Sequence, residues 1–256
     1  MTIEHGTARE PAAGDVMVRA GNFLFHFRNG LFPLTFLVIA AVSMPLAPFG
    51  SERADRWMDA IGLLVALAGQ TLRALVIGLA YIRRGGKDKR IYADTLVTEG
   101  LFAHSRNPLY LGNILVYLGL FLILNSVLGY LIGVPFFLFA YRAIVSAEED
   151  YLGRQFGTQF EEYRRRVNRF VPSLRGLGAT IRGMEFNWAR LVIKEYGSTF
   201  SWMTTALALF VWEVYRRLGA AAAGPTLRMA LIAWIPVLGG YGLARYLKKS
   251  RRLVAG

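Results

Sequence analysis

Residues 108–145 read PLYLGNILVYLGLFLILNSVLGYLIGVPFFLFAYRAIV, two apolar runs that meet at Asn125 and Ser126. A helix needs about 20 mostly apolar residues to cross the hydrocarbon layer. The runs 108–124 and 126–145 are near that length, and Arg142 is their one charged residue. In lipid such a stretch satisfies its backbone only as helix. So short a polar turn makes the two helices antiparallel neighbours.

Working outward, four further runs have the same character, at 31–48, 57–82, 199–218 and 226–247. The chain is 54% hydrophobic and only 18% charged, and its mean hydropathy is +0.36. Soluble domains carry about a quarter charged residues. The expected fold class is therefore all-α: a polytopic membrane helical bundle of about six transmembrane helices with cytoplasmic interfacial helices. The absence of Cys excludes a disulfide framework, Cys-based zinc sites and a thiolate nucleophile. A net charge of +13 suits cytoplasmic loops better than nucleic acid, because no basic stretch is interleaved with aromatics outside the apolar runs.

Glu4, Glu10 and Asp15 near the start, with no apolar core behind a basic end, do not read as a signal peptide. Val16 to Phe27 mixes aromatics with Arg19 and reads as an interfacial lead-in to the first span. Segment 83–90 has five basic residues to one acidic, and 245–252 has five to none, whereas 49–56 balances two against two. Positive loops stay inside, which predicts cytoplasmic termini. Arg216, Arg217 and Arg228 then fall on the outer side. In the segment 146–198, Leu152, Phe156, Tyr163, Val167 and Phe170 recur at helical spacing and predict a helix on the membrane surface. Phe186, Trp188, Leu191, Val192 and Tyr196 predict a second, short one. The chain divides into an N-terminal segment and first span (1–56), a membrane core (57–172), and an interfacial helix with two further spans (173–256).

Two polar features stand out. In Arg106-Asn107-Pro108-Leu109-Tyr110-Leu111-Gly112, Asn107 suits a helix N-cap, Pro108 the first helical position and Gly112 close helix approach. Glu148-Glu149-Asp150, past the fourth span, reads first as an acidic surface cap. Counting about 1.5 Å per residue from the hairpin centre near Ser126 places Tyr110 level with Arg142, and His104 level with Glu148. The two features therefore converge at one mouth. His5 and His26 stand alone, so no metal site is expected. Gln70 and Arg73 are costly in lipid and should face the bundle interior or a cavity, Arg73 toward a lipid headgroup or an internal acid.

Taken in order, the 106–112 turn and the stretch Glu148-Glu149, Leu152, Phe156-Gly157, Phe160, Tyr163, Val167, Arg169-Phe170, Pro172 resemble the isoprenylcysteine carboxyl methyltransferase and phospholipid methyltransferase superfamily. The resemblance covers roughly residues 83–172. It implies a membrane enzyme that takes S-adenosylmethionine from the cytosol and methylates a lipid or lipidated acceptor entering from the bilayer. It assigns the cofactor to Asp94, Thr95, Leu96 and Val97, to Phe102, to Asn107, Pro108, Leu109 and Tyr110, and to Glu148, with Lys87 as a further contact; apart from the resemblance, His104 beside Ser105 is a candidate cofactor contact or a capping residue. Catalytic roles fall on Glu148, Glu149, Tyr110 and Arg106, with Glu149 the nearest base for an acceptor that must lose a proton. Arg142 and Arg73 are the substrate candidates. Asn107 stands where relatives often have His, Phe102 where they have Tyr, and Ile144 where carboxyl methyltransferases orient substrate with Arg. Two other readings stay open: an NADPH-dependent sterol-type reductase with a related helical core, and a non-catalytic membrane scaffold.

Overall fold

Glycine spacing sets the central helix pair. In a computed structural model, described over residues 13–46, 51–79, 84–87, 90–250 and 252–253 with backbone alone at 13, 84–87 and 90, α2 (Glu52–Leu79) lies against α3 (Pro108–Leu124). A Cβ added at Gly62 would fall 2.7 Å from the carbonyl oxygen of Gly119, and one at Gly69 2.6 Å from that of Gly112. Residues of this size let two backbones meet, which is how helices gain packing energy in lipid.

α1 (Ala13–Val42) packs on α4 (Val134–Phe156), which is entered through a π turn at Gly129–Gly133. Gly21 sits against the backbone of Ala143 and the methyl of Ala147. Lower down, the Phe32 ring is 5.3 Å from Phe137 and 5.4 Å from Tyr141. This contact corrects the expected first span. One helix runs from Ala13 to Val42 instead of a lead-in at 16–27 followed by a span at 31–48, because Leu24, Phe25 and Phe32 form one buried stripe along it. Phe23, Phe27, Leu34 and Leu37 on the other faces are exposed, as a lipid-facing surface requires.

The turn between α3 and α4 holds the far end of the bundle together. Asn125 takes a left-handed φ of 41°, which ends α3. Its amide donates to the carbonyl of Leu46 and to Asp55 Oδ1, each at 3.2 Å, and its Oδ1 accepts from the Tyr130 hydroxyl at 2.8 Å. Ser126 Oγ donates to Ser43 Oγ at 3.0 Å. The polar pair read as a hairpin centre thus also ties α1, α2 and α4 to one point.

Beyond the membrane the chain departs from expectation in two places. Glu148-Glu149-Asp150 do not begin a helix: α4 continues unbroken to Phe156. The surface helix then resolves into the end of α4 and α5 (Thr158–Arg166), broken at Gly157 with φ +52°. Among the described residues the sole sheet is an antiparallel ribbon, β1 (Arg84–Lys87) with β2 (Arg90–Ala93). After a short α6 (Leu177–Arg182), α7 (Trp188–Lys249) starts at the anticipated interfacial segment and runs straight on. It folds back at Gly219 (φ 84°). Trp234 Nε1 donates to Thr204 Oγ1 at 3.0 Å, and the rings of Phe200 and Tyr241 lie 4.5 Å apart. Its arms, 188–218 and 220–249, are therefore antiparallel.

Among the described residues four helices are long and apolar enough to cross a membrane, Gly14–Val42, Glu52–Leu79, Gly129–Phe156 and Trp188–Lys249, and Pro108–Leu124 is a shorter apolar helix. The fold is an all-α membrane bundle, and among the described residues α1 to α4 and the two arms of α7 make its long rods.

Candidate functional site

The Arg-Asn-Pro turn is fixed from behind. Arg106 Nε donates to Glu149 Oε1 at 3.0 Å, and its Nη1 donates to the carbonyls of Arg164 and Val167 at 2.9 and 2.5 Å. Arg169 closes on the other carboxylate oxygen through Nε at 3.0 Å and Nη2 at 2.5 Å. Asn107 Nδ2 donates to the Arg169 carbonyl at 3.2 Å and reaches Glu149 Oε1 at 3.4 Å. Two arginines and an amide thus hold the 104–108 turn against the strand of chain that follows α5. Ser105 Oγ donates to the carbonyl of Phe170, and the Tyr163 hydroxyl to that of Phe102. Glu149 and Arg106 are buried, and neither is among the described residues that line the cavity in front. Both Glu149 oxygens accept N–H bonds, which engages the carboxylate as a clamp on the turn. Asn107 makes no side-chain cap bond to α3, although Pro108 occupies the first turn as anticipated.

In front of the turn lies a cavity of about 630 Å³. Phe102, Asn107, Pro108, Leu109, Tyr110 and Glu148 form its upper wall. The Tyr110 hydroxyl donates to Glu148 Oε1 at 2.5 Å. Side chains on a helix lean toward its N-terminus. Tyr110 therefore leans up toward the mouth and Glu148 leans down from α4, and they meet between the two rods. The depth count put Tyr110 level with Arg142 and Glu148 level with His104, and this opposite lean brings Tyr110 and Glu148 together.

Midway down is a polar layer that only Arg73 and Gln70 signalled. Arg73 donates to Glu195 through Nε at 2.9 Å and Nη2 at 2.6 Å, and also to Asn113. Gln70 donates to Glu195 at 3.2 Å and accepts from Trp202 Nε1 at 2.8 Å. Arg73, Asn113, Tyr141 and Trp202 line the cavity. Of the two readings of Arg73, the internal acid is observed, and the same residue still faces the cavity. A lone arginine within an apolar span calls for an acid. Glu195, 122 residues away, is the one supplied, but nothing local marks the pairing. Below this layer the lining turns apolar, with Phe36, Leu37, Val116 and Leu120.

Several anticipated residues stand elsewhere. Arg142 is exposed on α4. Its neighbour Tyr141 takes the inward face, since adjacent helical positions point about 100° apart and a depth count does not choose between them. Asp94 and Thr95 are exposed, and Asp94 accepts from the Tyr92 hydroxyl, a bond that raises the Tyr92 pKa. Leu96 packs beside Phe160 and Tyr163, and Val97 beside Phe102 and Leu101. His104 is buried between the Ser173 carbonyl and Thr180 Oγ1 at 2.8 and 2.9 Å. None of Asp94, Thr95, Leu96, Val97 or His104 is among the described residues lining the cavity. The Lys87 backbone ends β1, and its side chain lies outside the described residues.

At the opposite end of the bundle, Arg217 pairs with Asp55 and Glu213. Asp59 completes a group of three acids whose oxygens lie within 4.8 Å of one another. This accounts for one of the arginines expected on the outer side: it neutralises acids of α2 and α7.

Comparison with known proteins adds a family to this geometry. A sequence profile for phospholipid methyltransferases matches residues 60–159. A nickel-cobalt-cadmium resistance protein, NccN, of Alcaligenes xylosoxydans xylosoxydans is 29% identical over 154 residues, 60% of this chain and 68% of that protein. The cobalt-zinc-cadmium resistance protein CzcN of Cupriavidus metallidurans is 30% identical over 155 residues, 60% of this chain and 67% of its own length. Protein-S-isoprenylcysteine O-methyltransferase of Rattus norvegicus is 28% identical over 124 residues, 47% of this chain and 43% of that enzyme. The chain thus spans less than half of that last relative. No solved structure gave a significant match.

Proposed function

The chain belongs to the isoprenylcysteine carboxyl methyltransferase and phospholipid methyltransferase superfamily, and from that premise we propose that it is a membrane methyltransferase that uses S-adenosylmethionine to methylate a lipid or lipidated acceptor. The observation that carries this reading is the single cavity running from the Phe102 and Asn107–Tyr110 wall, where the family holds its cofactor, down to an apolar floor. Its volume of about 630 Å³ falls in the range of small-molecule sites, about 300–1,000 Å³. Asn29, Pro33 and Leu37 on α1 and Ser201 on α7 are exposed where they line it, which offers a lateral way in from lipid. The basic 83–90 and 245–252 segments support placing this mouth and both chain ends on the cytoplasmic side.

The residues fit the donor. A sulfonium and an ammonium call for an acid, and Glu148, oriented by Tyr110, supplies one at the wall. The Arg106–Glu149–Arg169 clamp keeps the 107–110 turn in place, so that the wall is formed before the ligand arrives. Bound there, S-adenosylmethionine supplies an electrophilic methyl group whose sulfur departs as a neutral thioether. The chain's part is alignment and exclusion of water: Tyr110 and Glu148 hold the donor end, and the apolar floor holds the acceptor chain. Acceptors that arrive as nucleophiles need no base, consistent with Glu149 being fully engaged.

The test is titration of the purified protein with S-adenosylhomocysteine and, separately, NADPH. A hydrogen bond to a charged group contributes about 1.5–3 kcal/mol, so Tyr110→Phe and Glu148→Gln should each weaken S-adenosylhomocysteine binding by roughly ten- to a hundredfold. Binding of NADPH alone would favour a reductase. Indifference of S-adenosylhomocysteine binding to both substitutions would remove the site.

A further inference from the structure

Arg28 is the cation that the cavity does not explain. It lines the same space as Arg73, but the two are treated differently. Arg73 is held bidentate by Glu195. Arg28 Nη1 is buried with no hydrogen-bond partner, and among the described residues no acid pairs with it. Its guanidinium lies over the Phe25 ring, 3.8 Å from the centroid, a contact that offsets charge weakly and leaves Nη1 without a hydrogen-bond acceptor. Gly21, packed on Ala143 and Ala147, marks the level of Glu148. Arg28 is two helical turns further along α1, about 10 Å deeper. An arginine at such a depth is expensive unless a partner or a ligand meets it.

We infer that Arg28 receives the anionic head of the methyl acceptor, whose alkyl chain runs down the cavity past Phe32, Phe36 and Leu120. This rests on the methyltransferase reading and narrows it. An ammonium head would place a second cation beside Arg28, whereas a carboxylate or phosphate meets the planar fork of a guanidinium with two parallel bonds. The exposed flank of Asn29, Pro33 and Leu37 is on the same helix, so an amphiphile sliding in along α1 passes Arg28 with its head and leaves its tail on the apolar floor. For a carboxylate head, an oxygen lone pair forms the new bond to the methyl carbon while the carbon–sulfur pair returns to sulfur. No proton moves, and the ester has lost the charge that Arg28 held, which favours its departure.

The experiment uses the purified full chain in a neutral maltoside detergent, with Trp fluorescence reporting on Trp202 in the cavity wall. The probes are hexadecanoate, hexadecyl phosphate, hexadecanamide and hexadecylamine. One of the two anions should bind at least about tenfold tighter than the amide and the amine, and which anion does so identifies the head. Arg28→Met should reduce that preference to less than about twofold, and Arg28→Lys should restore part of it. S-adenosylhomocysteine affinity should stay within about twofold in both variants. The inference is overturned if wild-type protein shows no preference for anions or if Arg28→Met keeps it. It is also overturned if that substitution costs tenfold in S-adenosylhomocysteine affinity, since Arg28 would then serve the donor. Should wild type fail to bind S-adenosylhomocysteine while an Arg28-dependent anion preference persists, the anion site stands and the methyltransferase reading falls.

Discussion

Glu149→Gln separates a structural clamp from a catalytic base, because the two roles lead to different losses. The Glu149 side chain is 7% exposed and that of Arg106 10%, whereas Arg169 is 33% exposed. Breaking a buried ion pair by removing one partner costs about 3–5 kcal/mol. Arg106 keeps its bonds to the carbonyls of Arg164 and Val167, and the new amide oxygen still accepts one N–H. The Arg169 share is screened by solvent and adds about 0–1 kcal/mol. A net loss of about 2–4 kcal/mol follows, which at roughly 2–4 °C per kcal/mol lowers the melting temperature by about 5–15 °C. Thermal unfolding in neutral detergent, followed by Trp fluorescence, measures it. A double-mutant cycle with Arg106→Gln should return a coupling of about 1–3 kcal/mol. The protein that remains folded should still transfer methyl groups, with an unchanged pH profile. If Glu149→Gln melts within about 2 °C of wild type yet transfer collapses, the clamp argument is wrong and Glu149 touches the chemistry.

Two further substitutions probe the scaffold. Glu195→Leu alone strands Arg73 and should cost about 3–5 kcal/mol, whereas Arg73→Leu with Glu195→Leu should recover most of it, because a buried pair replaced by apolar side chains is often neutral; equal melting of the single and double variants would deny the pairing. Gly119→Leu drives a side chain into the backbone of Ala66 and should lose about 1–3 kcal/mol or more; Gly30→Ala, with open space around it, should gain up to about 1 kcal/mol of helix propensity in the same melt.

What could be read from the residues alone divides along physical lines. Apolar runs announce helices by length, so the hairpin at Asn125 and the two arms of α7 were legible. Polar turn chemistry announces ends, so Pro108 was placed at the start of α3. Depth counting set Tyr110 level with Arg142 and Glu148 level with His104, which brought the two polar features to one mouth but could not resolve rotation about a helix, hence Tyr141 in place of Arg142. Pairings over long separations left no local mark: Arg73 with Glu195, and Glu149 with Arg169, which reads as one more solvated base in a basic run. The first span was misjudged because a helix with Arg19 and Arg28 on it looks interfacial until Gly21 and Phe32 are seen packed on α4.

The cavity has two walls of separate origin. The phospholipid methyltransferase match ends at residue 159 and begins at 60; it contains Phe102, the 107–110 turn and Glu148. Arg28, Phe32 and Phe36 come from α1, and Ser201 and Trp202 from α7, all outside it. Under the methyltransferase reading proposed above, mutation in those two helices remodels which guest is admitted while the donor half stays intact, so that a library confined to α1 and the first arm of α7 is the direct route to a new acceptor.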